Sequence, residues 1–296
     1  MLKIIGTAAV LVAGSLVPGT AVAAESAACG MSLGSVTAGG DHWSQSVTTT
    51  VPPTAGPNNL VAAGVYAPGQ VRTSSTFTWQ ADEFVGVIVE GGFVLVGDSL
   101  YQTSYDGNTT HDGKPGRLVG GGWGAFVAVE SSQYQGPKDA GITRWNTYGL
   151  RSDGTLFRWT VAKNVWGSKA SAPGFSAVKS MVLISQTKTY DTFLANTRGG
   201  ALYTIHIPTT AAMKPVVKKV RSTTWQGFET MIAQECGQYG TVLLGIDKDT
   251  DSGYLYAVGH ATGATTVIQG LGKVPAPLKE NVYFRWRVPT TPLNGE

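Results

Sequence analysis

Short runs of alternating and β-branched apolar positions, punctuated by glycine turns, recur along this chain. Four segments share an aromatic anchor: "TWQADEFVGVIV" (78–89), "GGGWGAFVAV" (120–129), "APGFSAVKSMVLI" (172–184) and "TTWQGFETMIA" (223–233). Each anchor, Phe84, Phe126, Phe175 or Phe228, opens a run whose pattern predicts a strand. A second shared element follows: "FVLVGDSLYQ" (93–102), "TYGLRSDGTLFRW" (147–159), "TFLANTRGGALYTI" (191–205) and "TVLLGIDKDTDSGYLYAV" (241–258). Here an apolar strand meets a turn and returns as a strand carrying Leu followed by Tyr or Phe. Gly97-Asp98, Asp153-Gly154 and Gly199-Gly200 predict tight two-residue hairpins, which need positive φ. No stretch carries a convincing amphipathic helix.

Repeats of this period, all strand and turn, predict an all-β fold, a five-bladed β-propeller of about 50-residue units. The expected blades are 76–119, 120–171, 172–222 and 223–274, with 30–75 and 275–290 sharing a fifth. The ending "VYFRWRV" (282–288) resembles "LFRWTV" (156–161), so a last strand is expected to pair with the N-terminal region around "DHWSQSVTTTV" (41–51). That closure removes an open sheet edge.

Composition refines this picture. "MLKIIGTAAVLVAGSLVPGTAVAA" carries an early lysine, an apolar run and small residues at Ala21 and Ala23, the pattern of a signal peptide over 1–23. The expectation is a secreted single domain over 24–296 with no membrane insertion. Glycine is abundant at 39 and charged residues are few at 14%, which favours turns over solvated helices. A formal charge of +3 is too small for a nucleic-acid groove, and a monomer is expected. Cys29 and Cys236 are the two cysteines, and an oxidising compartment favours a disulfide between them. The closed ring independently brings the first blade beside the last complete one.

Several motifs carry candidate chemistry. "GDSL" (97–100) matches an esterase signature, but its Gly-Asp is already needed as a turn and no D-x-x-H supplies a base. "DKDTDSG" spaces Asp247, Asp249 and Asp251 as calcium ligands are spaced, yet Leu255 and Val258 occupy the later ligand positions. It fills a hairpin slot of the repeat, so calcium remains the one candidate cofactor against a default of none. His42, His111, His206 and His260 show no metal-ligand spacing. No close carboxylate pair is poised for acid and base work. Trp79, Trp123 and Trp225 recur at the anchors and are expected to pack, whereas Trp43 and Trp166 stand outside them and are candidate ligand platforms. Asn108-Thr109-Thr110 is a glycosylation sequon.

The stretch 95–126, with Leu100-Tyr101, a polar loop over 105–115, "RLVGG" and "GGWGAF", resembles one repeat of the tachylectin-type five-bladed propeller lectins. The likeness recurs in "LFRWTVAKNVWGSKASAPGF" and "LYTIHIPTTAAMKPVVKKVRSTTWQGF" and spans about 75–260. It implies binding of N-acetylated sugars between neighbouring blades by the polar loop, where that family has Asp-Asn-Trp. Here Asn164-Val165-Trp166 is the nearest remnant, and the 105–115 loop offers Asp106, Asn108, His111 and Asp112. The expected function is therefore non-catalytic glycan binding at Trp43, Asp106, Asn108, His111, Asp112, Asn164 and Trp166. A propeller hydrolase or lyase and a protein-interaction propeller are the alternatives.

Overall fold

Hairpin turns set the registers of the protein, whose structure is a computed structural model describing residues 29–82, 87–106, 111–136, 142–162, 165–287 and 292–296. The expected signal peptide, Phe84, the sequon with Asn108, and Asn164 lie outside the described residues. Every regular element described is a strand. In chain order these are β1 (Gly30–Val36), β2 (His42–Thr48), β3 (Thr54–Ala55), β4 (Asn59–Ala62), β5 (Val71–Ser74), β6 (Phe77–Asp82), β7 (Val87–Val96), β8 (Ser99–Asp106) and β9 (Arg117–Gly121). There follow β10 (Phe126–Gln135), β11 (Ile142–Arg151), β12 (Leu156–Ala162), β13 (Val165–Ala172), β14 (Val178–Gln186), β15 (Tyr190–Thr197), β16 (Leu202–Pro208) and β17 (Val216–Arg221). The last are β18 (Thr230–Cys236), β19 (Gly240–Asp247), β20 (Ser252–Val258), β21 (Ile268–Lys273) and β22 (Val282–Arg287).

Strands β10–β13, β14–β17 and β18–β21 form three four-stranded antiparallel meanders. The remaining strands make a longer path, β3-β2-β1-β22-β6-β7-β8-β9, in which β22 pairs antiparallel with β1 and parallel with β6. Strands β5, β10, β14, β18 and β22 line one central channel. Each touches the next around a closed cycle, so the sheets radiate from a common axis in a β-propeller arrangement. Apolar clusters fill the spaces between neighbouring sheets. Phe93, Leu95 and Leu100 meet Phe126 and Phe157 in one, and Leu150 and Leu156 meet Leu183 and Phe193 in the next. Each sheet thus buries its faces against its neighbours, as stacked repeats do.

The C-terminal strand closes the ring as expected, with one difference of order. Leu33, Gly34, Ser35 and Val36 pair with Arg285, Phe284, Tyr283 and Val282, so β1 lies between β22 and the 41–51 segment that the sequence placed there. Gly34 permits this contact, since a Cβ there would meet the Phe284 ring at 2.2 Å. Cys29 and Cys236 form a disulfide with Cα atoms 5.5 Å apart.

Only one of the three expected two-residue turns has that form. Val96 pairs with Ser99 around Gly97 (φ 55°) and Asp98. The other two are three-residue loops. Arg151 N–H bonds Thr155 O and Gly154 N–H bonds Arg151 O, while Thr197, Ala201 and Gly200 repeat the pattern. Gly154 (φ 84°) and Gly200 (φ 88°) supply the single left-handed residue such loops need. In the acidic hairpin Asp251 takes that role at φ 52°.

Each turn grips the next unit through one backbone bond. Tyr66, Trp123, Phe175, Trp225 and Leu278 donate N–H to the carbonyls of Gly40, Asp98, Gly154, Gly200 and Asp251 at 2.9–3.0 Å. Phe126, Val178 and Phe228 in turn donate to Trp123, Phe175 and Trp225. Phe175 is therefore the equivalent of Trp123 and Trp225, and Val178 that of Phe126 and Phe228. Phe175 thus differs from the expected series with Phe126 and Phe228, because in this unit one aromatic anchor is followed by an aliphatic residue, Val178, where its siblings have two aromatics.

Candidate functional site

Beyond the apolar cluster between the β6–β9 and β10–β13 sheets the two walls diverge into an open cleft of about 260 Å³. One wall is the cross-strand row Thr78, Gly91 and Ser104, extended by Gln102. Gly91 leaves this wall without a side chain at its centre. The facing wall carries Trp145 and Gln133, paired opposite one another on β11 and β10. Trp145 is half-buried. Its Nε1 donates to Ser131 Oγ at 2.8 Å, and its ring centroid lies 5.7 Å from that of Phe93. Gln133 Oε1 is buried with no hydrogen-bond partner among the described residues. An indole wall, several hydroxyls and an unused amide oxygen together suit a polar ligand with an apolar face.

Neighbouring inter-sheet spaces show what this position can hold. The register Gln133–Trp145 recurs as Gln186–Asp191 and Glu235–Thr241, so Asp191 and Thr241 stand where Trp145 does. The facing row Thr78–Gly91–Ser104 recurs as Ser132–Asn146–Thr160 and Ser185–Thr192–His206. In the space between the β10–β13 and β14–β17 sheets, Asp191 reaches into the row. Ser132 Oγ and Asn146 Nδ2 donate to it at 2.5 and 3.3 Å, with Tyr148 OH and both Arg144 Nη atoms. One step further round, Gly295 and Glu296 lie in the equivalent space.

The sequence-expected site residues that are described stand on several different elements. Trp43 is half-buried on β2, with its Nε1 buried and without a hydrogen-bond partner among the described residues. Asp106 ends β8, His111 packs edge-on against Tyr105 at 5.2 Å, and exposed Asp112 pairs with Lys114. Trp166, on β13, packs against Phe93 and Trp159 at 5.5 and 5.6 Å, within the aromatic cluster. Trp145 and Trp166 both flank Phe93, but only Trp145 lines the cleft. Trp145 shares with Trp43 and Trp166 the signal of standing outside the anchor slots. Its position inside a strand run hid it.

In the central channel, Arg285 is 3% exposed and its Nε donates to Thr76 Oγ1 at 3.3 Å, while Nη1 and Nη2 have no hydrogen-bond partner among the described residues. Burial lowers its pKa, opposed by Glu130 and Glu235. Arg287 is lowered to about 9 by burial and by Arg285. Glu130 Oε1 accepts the backbone N–H groups of Thr76 and Ser131 at 2.9 and 2.7 Å. Glu229 pairs with Lys179; burial pushes its pKa up, but that pairing and the Lys248 N–H hold it below the ordinary carboxylate value.

The "GDSL" aspartate holds the next unit: Asp98 accepts N–H from Gly122 and Gly124. In the acidic stretch, Asp247 Oδ1 accepts the N–H groups of Asp249 and Thr250 at 3.0 and 3.2 Å, an Asx turn. Among the described residues no three His, Cys, Asp or Glu side chains gather as a metal cluster. No helix among them is long and apolar enough to cross a membrane.

No family model and no curated protein matches the chain. Solved structures do match it. SapL1 lectin in complex with alpha methyl fucoside is 9% identical, with 81% of this chain and 79% of that chain covered and a TM-score of 0.42. The fungal Aleuria aurantia lectin, a six-bladed β-propeller with a fucose recognition mode, is 12% identical, with 84% and 96% covered and a TM-score of 0.41. The architecture given above rests on this chain's own strand pairing.

Proposed function

We propose that the protein is an exported five-bladed β-propeller of tachylectin-like design that binds carbohydrate without catalysis. Five anchor-to-turn hydrogen bonds and five channel-lining strands support that blade number. The observation that carries the function is the open cleft, where Trp145 faces a row of small and hydroxyl side chains beside Gln133 Oε1, which has no partner among the described residues. A sugar ring would lay its apolar face on the indole while its hydroxyls meet Thr78, Ser104 and Gln102. An acetamido N–H is the donor that a buried amide oxygen lacks, which supports a preference for N-acetylated sugars. Display of many copies of the glycan on a surface would strengthen a singly weak contact.

A glycan array carrying N-acetylglucosamine, N-acetylgalactosamine and fucose tests this reading. Retention of an N-acetylated sugar by the parent, reduced at least tenfold by Trp145→Ala and unchanged by Trp43→Ala, is expected. Retention of no sugar, or equal retention by Trp145→Ala, would overturn it.

A further inference from the structure

Gly295 and Glu296 occupy the inter-sheet space that corresponds to the open cleft, while Leu293 just before them is buried in the apolar cluster of the neighbouring space with Leu183 and Phe193. Thr192 and His206 stand in their sheet as Gly91 and Ser104 do in theirs, and Thr241 stands opposite them as Trp145 does. Leu293 is fully buried, and its carbonyl accepts Gln186 N–H at 3.0 Å. Gly295 N–H donates to Ile184 O at 2.9 Å and its carbonyl accepts Ala261 N–H at 2.7 Å. Glu296 then places its side-chain carboxylate on the row: Thr192 Oγ1 donates to Oε2, and His206 Nδ1 lies 2.5 Å from the same oxygen. Tyr190 packs beside His206, tilted, with ring centroids 4.4 Å apart.

This is a ligand's mode of occupation, with a backbone bridge at Gly295 and the charged side chain of Glu296 held by side chains. The neighbouring space treats its row in the same way, through the carboxylate of Asp191 on Ser132 and Asn146. Two equivalent rows thus each receive a carboxylate from elsewhere in the chain. They differ in that Asp191 belongs to a strand of the facing sheet, whereas Glu296 arrives on a segment outside the sheets.

We propose that the space between the β14–β17 and β18–β21 sheets is a second binding cleft, selective for ligands bearing a carboxylate, which Gly295 and Glu296 fill as an internal ligand and vacate to admit an external one. The selectivity follows from donors converging on one oxygen, since charge-assisted bonds from a hydroxyl and an imidazole favour an anion over a neutral group. The inference stands whether or not the open cleft beside Trp145 takes a sugar.

Two variants open the cleft by different means. Deletion of 292–296 removes the occupant. Gly295→Ala leaves Leu293 in its own apolar cluster, but the new Cβ would lie 2.4 Å from Thr241 Oγ1 and 3.0 Å from Ile184 O, so Gly295 and Glu296 must shift from their seat. Calorimetry would compare glucuronic acid with glucose, and the amidated peptide Pro-Leu-Asn-Gly-Glu with its Gln-ended counterpart. Expected is a carboxylate probe that binds an opened variant at least tenfold tighter than its neutral counterpart does, and tenfold tighter than it binds the parent. That preference should vanish when His206→Gln is added. Whether the acidic sugar or the peptide binds identifies the source of the carboxylate. Should the deletion variant not fold, Gly295→Ala carries the test. Equal binding of acidic and neutral probes to an opened variant, or a preference untouched by His206→Gln, overturns the proposal.

Discussion

Arg144 grips Asp191 with both terminal nitrogens, Nη1 to Oδ2 at 2.6 Å and Nη2 to Oδ1 at 2.7 Å, and so joins the β10–β13 sheet to the β14–β17 sheet. Asp191 is fully buried and also receives Ser132, Asn146 and Tyr148, so its charge is met on every side. Removing one member of a buried pair leaves the others desolvated without their partner. Asp191→Ala is expected to lower stability by about 3 kcal/mol, less than the extreme for such pairs because Arg144 keeps some access to water. Urea denaturation measures this, and an unchanged midpoint would show that the sheets do not depend on the clamp.

Glu90 provides a pH-dependent counterpart. Its carboxylate is buried, accepts Trp286 Nε1–H at 2.6 Å, and has a pKa pushed by burial from 4.5 to about 7, with the indole bond opposing the shift. Between those two values the folded chain holds a proton that the unfolded chain releases. Stability from this group therefore falls as pH rises from about 4.5 to about 7 and stays lower above that. Glu90→Gln keeps an acceptor for Trp286 and removes the charge. The variant should match the parent at pH 4 and exceed it at pH 8 by about 2 kcal/mol, allowing for partial solvent screening. Melting curves at the two pH values decide, and a gain at pH 4 as large as that at pH 8 would contradict the assignment.

The strand-and-turn rhythm, the all-β class, ring closure by β22 and the pairing of Cys29 with Cys236 were legible in the sequence, because each follows from local periodicity or from parity. Gly97, Gly154 and Gly200 marked the hairpins, although loop length was not legible: a left-handed glycine serves two-residue and three-residue turns alike. Tyr66 was missed as an anchor because the run after it breaks into β5 and β6, both of which pair with β7. The candidate cleft was less legible. Its walls come from different sheets, so that Trp145 and Ser104 meet only through the ring, and no local pattern marks either one. Leu293–Glu296 has no strand periodicity at all, yet Leu293 joins one apolar cluster and Gly295 and Glu296 fill the next inter-sheet space.

Gly154 tests how far the turn chemistry supports the ring. It adopts φ 84°, and a Cβ at this position would lie 2.1 Å from the backbone nitrogen of Ser176. Its carbonyl also accepts Phe175 N–H at 2.9 Å, the bond that fixes the start of the next unit. Gly154→Ala therefore suffers both a left-handed backbone and a backbone clash, and a loss of about 2 kcal/mol or more is expected. Gly199→Ala serves as control, because a Cβ there meets nothing within 4 Å and φ is not positive. Equal midpoints for the two variants would remove the anchor-to-turn bond from the account of stability.

The disulfide contributes through a different state of the chain. Cys29 and Cys236 are separated by 207 positions, and their bond ties the start of β1 to the end of β18. Closing so long a loop restricts the unfolded ensemble, a contribution of about 5 kcal/mol on the chain-entropy model. The folded ring is also held by β1–β22 pairing and by the apolar cluster of Met31, Leu33, Val242 and Leu244, which do not need the sulfurs. The double variant Cys29→Ser/Cys236→Ser should therefore keep the native far-ultraviolet circular dichroism spectrum while its denaturation midpoint falls by an amount approaching that figure. A midpoint that does not move would mean that the unfolded chain was never constrained by the bond. Loss of the native spectrum in dilute buffer would mean that strand pairing and packing cannot close the ring without the covalent link.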